Sequence, residues 1–165
     1  MELYTIESPL GVLEIEIDKE ALSAVRFSNK PFKNKNNPSK VANIIIQELE
    51  EYFINKTIFS SFKLAPIGTP FQKKIWRLLS EIPMGETRSY TDIAIQYGNS
   101  KAVRAIGAAI GKNPIMIFIP CHRVIGSNGS MIGYAGGLSN KIWLLEHEGL
   151  LIQKRLNLRD TSYCT

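Results

Sequence analysis

The chain has 165 residues, 44% hydrophobic and 21% charged, an ordinary balance for a globular protein with a core of its own. Two cysteines, Cys121 and Cys164, are too few for a disulfide framework or a cysteine-rich zinc site, and no apolar run approaches the roughly 20 residues of a membrane helix. The net charge of +5 is lopsided, with 8 Lys+Arg against 9 Asp+Glu in residues 1–65 and 12 against 6 in residues 66–165. An anionic partner, nucleic acid first among them, fits that asymmetry, and so does charge kept for solubility. Met1-Glu2-Leu3-Tyr4 has neither the basic segment nor the apolar stretch of a secretory signal. A reducing cytoplasm is the expected location, where Cys121 persists as a thiol.

Residues 2–28 read as antiparallel strands. Residues 3–7 run into Pro9-Leu10-Gly11, a turn signal, residues 12–18 alternate at period two, and 24–27 is expected as a third strand. Residues 29–40 carry four lysines among Asn, Ser and Pro with no apolar period, a polar loop. Apolar residues at 41, 44, 45, 46, 49 and 53 then mark one face of a helix that starts near Asn37-Pro38-Ser39. This first part shows no catalytic grouping and reads as scaffold.

Residues 55–67 lead as a linker into Thr69-Pro70-Phe71-Gln72. An N-cap Thr, Pro in the first helical position and Gln in the third make a capping box. Phe71, Ile75, Leu78 and Leu79 give the helix its apolar face, and Ile82-Pro83 stops it. A second capping pattern, Ser89-x-x-Asp92, opens a helix over 91–97 that Gly98 ends. Asn99-Ser100 opens another over 101–110, closed by Gly111. Two short helices about a Gly-containing turn, over about 89–111, are a helix-turn-helix signature, although any packed helix pair can look alike. Ala102, Ala105, Gly107, Ala108 and Ala109 make the second helix thin, with Arg104 as its long interior charge. So thin a helix can pack closely on a neighbour or approach another backbone.

Asn113-Pro114 precedes five apolar residues, 115–119, and then Pro120-Cys121-His122-Arg123-Val124. So short and β-branched a run is expected as a buried strand ending about Pro120, which has no ladder donor. The thiol would then sit where the chain leaves the core. Gly126-Ser127-Asn128-Gly129-Ser130 is a turn, Gly133-Tyr134-Ala135-Gly136-Gly137 a second glycine-rich loop, residues 138–147 a closing helix that ends at Gly149, and residues 150–165 a mixed tail.

A cysteine attacks as thiolate, and an ordinary pKa of about 8.5 leaves only a few per cent ionised at neutral pH. His122 is adjacent, yet neighbours on an extended segment point to opposite faces, so contact needs a bend or an intervening water. The only other histidine is His147, and Glu146 and Glu148 are the carboxylates nearest to it in sequence, able to orient a base. Arg123 either favours the thiolate or pairs with a carboxylate. A buried, inert thiol is the commonest fate of a cysteine.

Pro120-Cys121-His122-Arg123-Val124 behind Asn113-Pro114 resembles the active-site signature of the O6-alkylguanine-DNA alkyltransferases. The resemblance extends, in order, to Gly68-Thr69-Pro70-Phe71-Gln72 with Trp76, Ile82-Pro83-x-Gly85 with Ser89-Tyr90, residues 102–107, Gly133-Tyr134-Ala135-Gly136-Gly137-Leu138 and Trp143-Leu144-Leu145-x-His147-Glu148-Gly149. It is close over residues 66–150 and general over the first 65.

The resemblance implies an α+β protein: a ribonuclease-H-like sheet and helix over 1–65, then a mainly helical alkyltransferase domain over 66–165 with the active-site motif at 120–124. It implies repair of double-stranded DNA by direct reversal, with the alkylated guanine flipped into a pocket and its alkyl group moved once to Cys121. O4-alkylthymine is left open as a second substrate. His122 would act as base through a water, oriented by Glu148, and Asn113 would brace the turn. Tyr90 would rotate the nucleotide and donate to guanine N3. Ala102, Ala105 and Gly107 would lie in the minor groove with Arg104 filling the vacated stack. Tyr134 would wall the pocket, the Ala135 N–H would face O6, and the carbonyls of Cys121 and Val124 would read the exocyclic amine. Arg123 would be structural. No cofactor, metal or membrane enters, and a monomer suffices. The alternative is a non-catalytic sensor that binds alkylated bases; the inactive relatives that do so replace the acceptor cysteine, which this chain keeps. A cysteine hydrolase is a further rival, without an oxyanion motif. Some members have Ser in place of Ala135, Pro in place of Met116, or a zinc site for which this chain lacks the cysteines.

Overall fold

Period-two alternation near the amino terminus becomes a sheet. In the computed structural model, which describes residues 1–31, 37–58 and 60–150, β1 (Glu2–Ser8), β2 (Gly11–Asp18) and β3 (Ala21–Phe27) pair antiparallel, and β4 (Lys63–Leu64) adds parallel to β3. Leu13, Ile15 and Ile17 of β2 turn inward and are buried, while Glu14 and Glu16 between them pair with Lys30 and Arg26. β3 begins three residues before the expected 24 because the chain reverses at Lys19 and Glu20, both at positive φ, the backbone of a tight hairpin turn. No Asn-Gly or Asp-Gly marks that turn in the sequence.

α1 (Lys40–Asn55) is capped by the Ser39 hydroxyl, which accepts from the Ala42 N–H. Its buried stripe is Ala42, Ile45, Leu49 and Tyr52, spaced three and four apart. Val41, Ile44, Ile46 and Phe53 flank it half-buried, so the expected face is rotated toward Ala42 and Tyr52. The carboxylate of Glu48, also buried, accepts the N–H groups of Ser60 and Ser61 at 2.7 and 2.9 Å.

The chain divides into two compact units, one made of Met1–Gly68 with Pro114–Phe118, the other of Thr69–Asn113 with the chain from Ile119 onward. The excursion over 114–118 is where the expected strand fails. Only Ile115 bridges the sheet, beside Val25, with Val25 N–H donating to Pro114 O at 2.9 Å and Met116 N–H to Val25 O at 3.1 Å. The chain then turns at Ile117, whose φ of 75° lets the Phe118 N–H reach Met116 O at 3.0 Å. That is a γ-turn of positive φ, the rarer and strained kind, and here its centre is β-branched. Ile115, Met116, Ile117, Phe118 and Ile119 are all buried nonetheless. Burial of five apolar side chains in a segment hemmed by prolines outweighs both β-propensity and local backbone strain.

In the second unit the capping signals hold. α2 (Pro70–Ser80) and α3 (Tyr90–Tyr97) each open on a complete capping box, Thr69 with Gln72 and Ser89 with Asp92, and Gly98 closes α3 at φ 93°. Asn99 caps a 3₁₀ turn over Ser100–Ala102, and α4 (Val103–Gly111) follows. Ile106, Ala109 and Ile110 are buried, and the Trp76 indole N–H donates to Ala109 O at 2.8 Å, pinning α4 to α2. β5 (Arg88–Ser89) pairs parallel with β6 (Val124–Ile125), which fixes the start of α3 beside the end of the Cys-His-Arg turn. α5 (Leu138–His147) closes the unit, with Gly149 at φ 96°. Among the described residues no helix is long and apolar enough to cross a membrane, and no three His, Cys, Asp or Glu gather as a metal site. Of the tail over 150–165, all but Leu150 lies outside the described residues, as do residues 32–36 of the polar loop.

Candidate active site

Two turns deliver Cys121. Pro120, at φ −81° and ψ 64°, centres an inverse γ-turn in which Cys121 N–H donates to Ile119 O at 2.8 Å. Cys121–Arg123 then forms a 3₁₀ turn. The extended geometry expected for Cys121 and His122 is therefore absent: at three residues per turn, successive side chains diverge by about 120°. Cys121 reaches a pocket, while His122 and Arg123 both reach Glu148.

Glu148 organises the buried side. Its Oε1 lies 2.8 Å from His122 Nε2, and Arg123 grips both oxygens, Nε to Oε2 at 2.9 Å and Nη2 to Oε1 at 3.0 Å. Arg123 Nη1 donates to Ile82 O at 2.6 Å. Burial alone would raise the Glu148 carboxyl; the hydrogen bonds from His122 and Arg123 more than reverse it and hold the pKa at about 2. An ionised carboxylate only accepts, so His122 Nε2 carries the hydrogen and Nδ1 the lone pair. Burial pushes the His122 pKa down, against the pull of Glu148, which keeps the ring neutral at neutral pH. Nδ1 is buried and has no hydrogen-bond partner among the described residues. His147 stacks on Trp143 instead, centroids 4.7 Å apart.

On the thiol side, the Asn113 amide donates to Ile119 O at 2.7 Å and to Cys121 Sγ at 3.1 Å. Burial pushes the Cys121 thiol up; the Asn113 hydrogen bond, the Lys141 charge and nearby backbone N–H groups oppose it. Cys121 lines a pocket of about 140 Å³ together with Tyr90 from α3, Gly107, Ile110 and Gly111 from α4, and Gly133, Tyr134 and Ala135 from the glycine-rich loop. The Tyr90 hydroxyl donates to Ile132 O at 3.1 Å, across the mouth of that loop. Gly133 is required there: it sits at φ 58°, and a Cβ would lie 3.2 Å from the Tyr90 hydroxyl. Burial raises the Tyr90 and Tyr134 pKa values, with the Cys121 charge adding to both, so both remain phenols.

The residues singled out in the sequence thus separate into four places. Cys121, Tyr90, Gly107, Tyr134 and Ala135 line the pocket; Asn113, His122 and Glu148 are buried behind it; Val124 is buried in β6. Ala102 is half-buried, and Arg104 and Ala105 are exposed on α4. One residue was missed. Lys141 is fully buried, and its ammonium donates to the carbonyls of Val124, Ile132 and Gly133 at 2.5, 2.8 and 3.2 Å. A single lysine in the first turn of an amphipathic helix carries no signal of burial, because solvent is its usual neighbour.

Residues 70–150 match the model of the "6-O-methylguanine DNA methyltransferase, DNA binding domain" family. A methylated-DNA–protein-cysteine methyltransferase of Methanosarcina acetivorans is 47% identical over 148 residues, 87% of this chain and 95% of that one. The constitutive enzyme of that name from Bacillus subtilis is 38% identical, covering 94% of this chain and all of its own. Among solved structures, the Mycobacterium tuberculosis OGT in complex with DNA superposes with a TM-score of 0.81 at 38% identity, over 96% of this chain and 99% of that one.

Proposed function

The chain belongs to the methylated-DNA–protein-cysteine methyltransferases, and from that premise we propose that it repairs duplex DNA by moving the alkyl group of O6-alkylguanine irreversibly to Cys121. The observation that carries the reading is a thiol lining a pocket of about 140 Å³, backed by a neutral histidine whose lone-pair nitrogen has no partner among the described residues and whose other nitrogen is committed to Glu148.

The target atom cannot be reached inside the stack, so the base is flipped out, at a cost of roughly a few kcal/mol. α4 and the 3₁₀ turn before it enter the minor groove through Ala102, Ala105 and Gly107, and Arg104, exposed on the helix, fills the gap. The same helix supplies Gly107, Ile110 and Gly111 to the pocket, so docking and base capture share one element. Tyr90 exchanges Ile132 O for guanine N3. The carbonyls of Cys121 and Val124 take the exocyclic amine, the Ala135 N–H faces O6, and Tyr134 closes the wall. His122 Nδ1 takes the thiol proton through one water. The Cys121 sulfur then bonds to the alkyl carbon as the carbon–O6 bond breaks, and the electron pair stays with guanine, which takes up a proton. The thioether has no route back to thiol, so each molecule acts once, as a monomer.

Intact mass after incubation with duplex DNA carrying O6-methylguanine is expected to rise by one methyl, on Cys121. No gain in the wild type, or an equal gain in Cys121→Ser, would sink the reading; binding without any gain would mark a lesion sensor. Arg104→Ala is expected to lose repair of duplex DNA while still reacting with the free alkylated base.

A further inference from the structure

Lys141 is a buried ammonium without a carboxylate. It is fully buried, and among the described residues no Asp or Glu lies within ion-pair distance of it. Three backbone carbonyls take its three hydrogens. A buried charge left uncompensated is expensive, so its surroundings matter. The ionisable groups facing it are Cys121 and His122 of the 3₁₀ turn and Tyr90 of α3, whose ring centroid is 6.0 Å from Nζ. Of these His122 is neutral and Tyr90 a phenol. That leaves the Cys121 thiol, which burial pushes up, as the group whose ionised form the Lys141 charge favours.

The three carbonyls are equally telling. Val124 O belongs to β6, whereas Ile132 O and Gly133 O open the loop that carries Tyr134 and Ala135. Ile132 O receives two donors, Lys141 and the Tyr90 hydroxyl. If Tyr90 turns to a base, Lys141 is the donor that remains on Ile132 O among the described residues.

Resting on the alkyl-transfer reading above, we propose that Lys141 is a positioning residue for the reaction, tying the pocket loop to Val124 and supplying the positive charge that favours Cys121 as thiolate. Burial lowers the Lys141 pKa to about 8, countered by attraction to Cys121, so at pH 7 the amine is charged.

The test follows the pH dependence of Cys121 alkylation by iodoacetamide in the full chain, with peptide mapping to separate Cys121 from Cys164. Lys141→Met removes charge and donors; Lys141→Gln removes the charge and keeps two donors; Lys141→Arg keeps the charge. Both neutral variants are expected to raise the midpoint by about one pH unit, roughly a tenfold loss of thiolate at pH 7, and Lys141→Arg to restore it. A folded Lys141→Gln or Lys141→Met protein with an unmoved midpoint overturns the charge role, even where its stability has fallen. The loop role is read in single-turnover transfer, where Lys141→Met but not Lys141→Gln should raise the DNA concentration for half-maximal rate. Equal half-maximal concentrations in the two overturn it. Iodoacetamide needs no DNA, so a wild type that takes no methyl from DNA defeats the functional reading while the thiolate test still stands.

Discussion

Glu148 Oε1 stands 2.8 Å from Nε2 of His122, and neither side chain is exposed at all. Because Arg123 keeps that carboxylate ionised, the contact dictates the tautomer of the ring and leaves Nδ1 as the basic nitrogen. Glu148→Gln has the same shape, yet its amide can present a donor to His122 and invert the tautomer. The single-turnover transfer rate is expected to fall roughly 100-fold, and stability by roughly 3 kcal/mol as Arg123 loses its buried partner. A folded variant with the wild-type rate would show that His122 is not the base.

The same cluster predicts acid lability. The folded Glu148 pKa of about 2 lies below its ordinary 4.5, so between those values the unfolded chain binds more protons than the native one. The stability it contributes is complete above pH 4.5 and lost as pH falls toward 2, on the order of 3 kcal/mol. His122, depressed by burial below its ordinary 6.5, acts in the same direction from about pH 6.5 downward. Urea unfolding at a series of pH values should show this slope, and Glu148→Gln should flatten the part below pH 4.5.

Two pocket glycines should respond oppositely to alanine. At Gly107, in helical backbone, a Cβ meets the Tyr90 ring at 3.8 Å, an ordinary contact. Gly107→Ala is expected to stabilise by up to about 1 kcal/mol while weakening duplex binding through a thicker α4. At Gly133, positive φ and the close Tyr90 hydroxyl make alanine cost about 1–2 kcal/mol. Thermal melts of both variants separate these outcomes; equal shifts would contradict the geometry.

Lys56 ends α1 in the left-handed region at φ 59°, exposed, with its N–H on Tyr52 O. Lys56→Gly should remove that strain and raise stability by roughly 0.5–1 kcal/mol, with transfer activity unchanged. Chemical denaturation gives the sign directly.

The capping boxes at Thr69 and Ser89, the closure of α3 at Gly98 and the alternation of β2 were all legible in the chain itself. Each is decided within a few residues, by a side chain reaching its own backbone or by a period of two, so sequence suffices. The turn at Ile117 was not legible, because every local preference of residues 115–119 favours a strand. Only the packing of the folded unit makes a strained β-branched turn the better state. Nor was the role of Lys141, whose meaning depends on three carbonyls from two other segments and on a thiol twenty residues away. The neighbouring carboxylates Glu146 and Glu148 were equally plausible partners by sequence. The end of α5 turns Glu148 inward, where the hydrogen bonds from His122 and Arg123 keep it ionised against its burial. Charge and caps are properties of residues and their near neighbours. Which nitrogen is basic, and which lysine is dry, are properties of the space that distant parts of the chain enclose together.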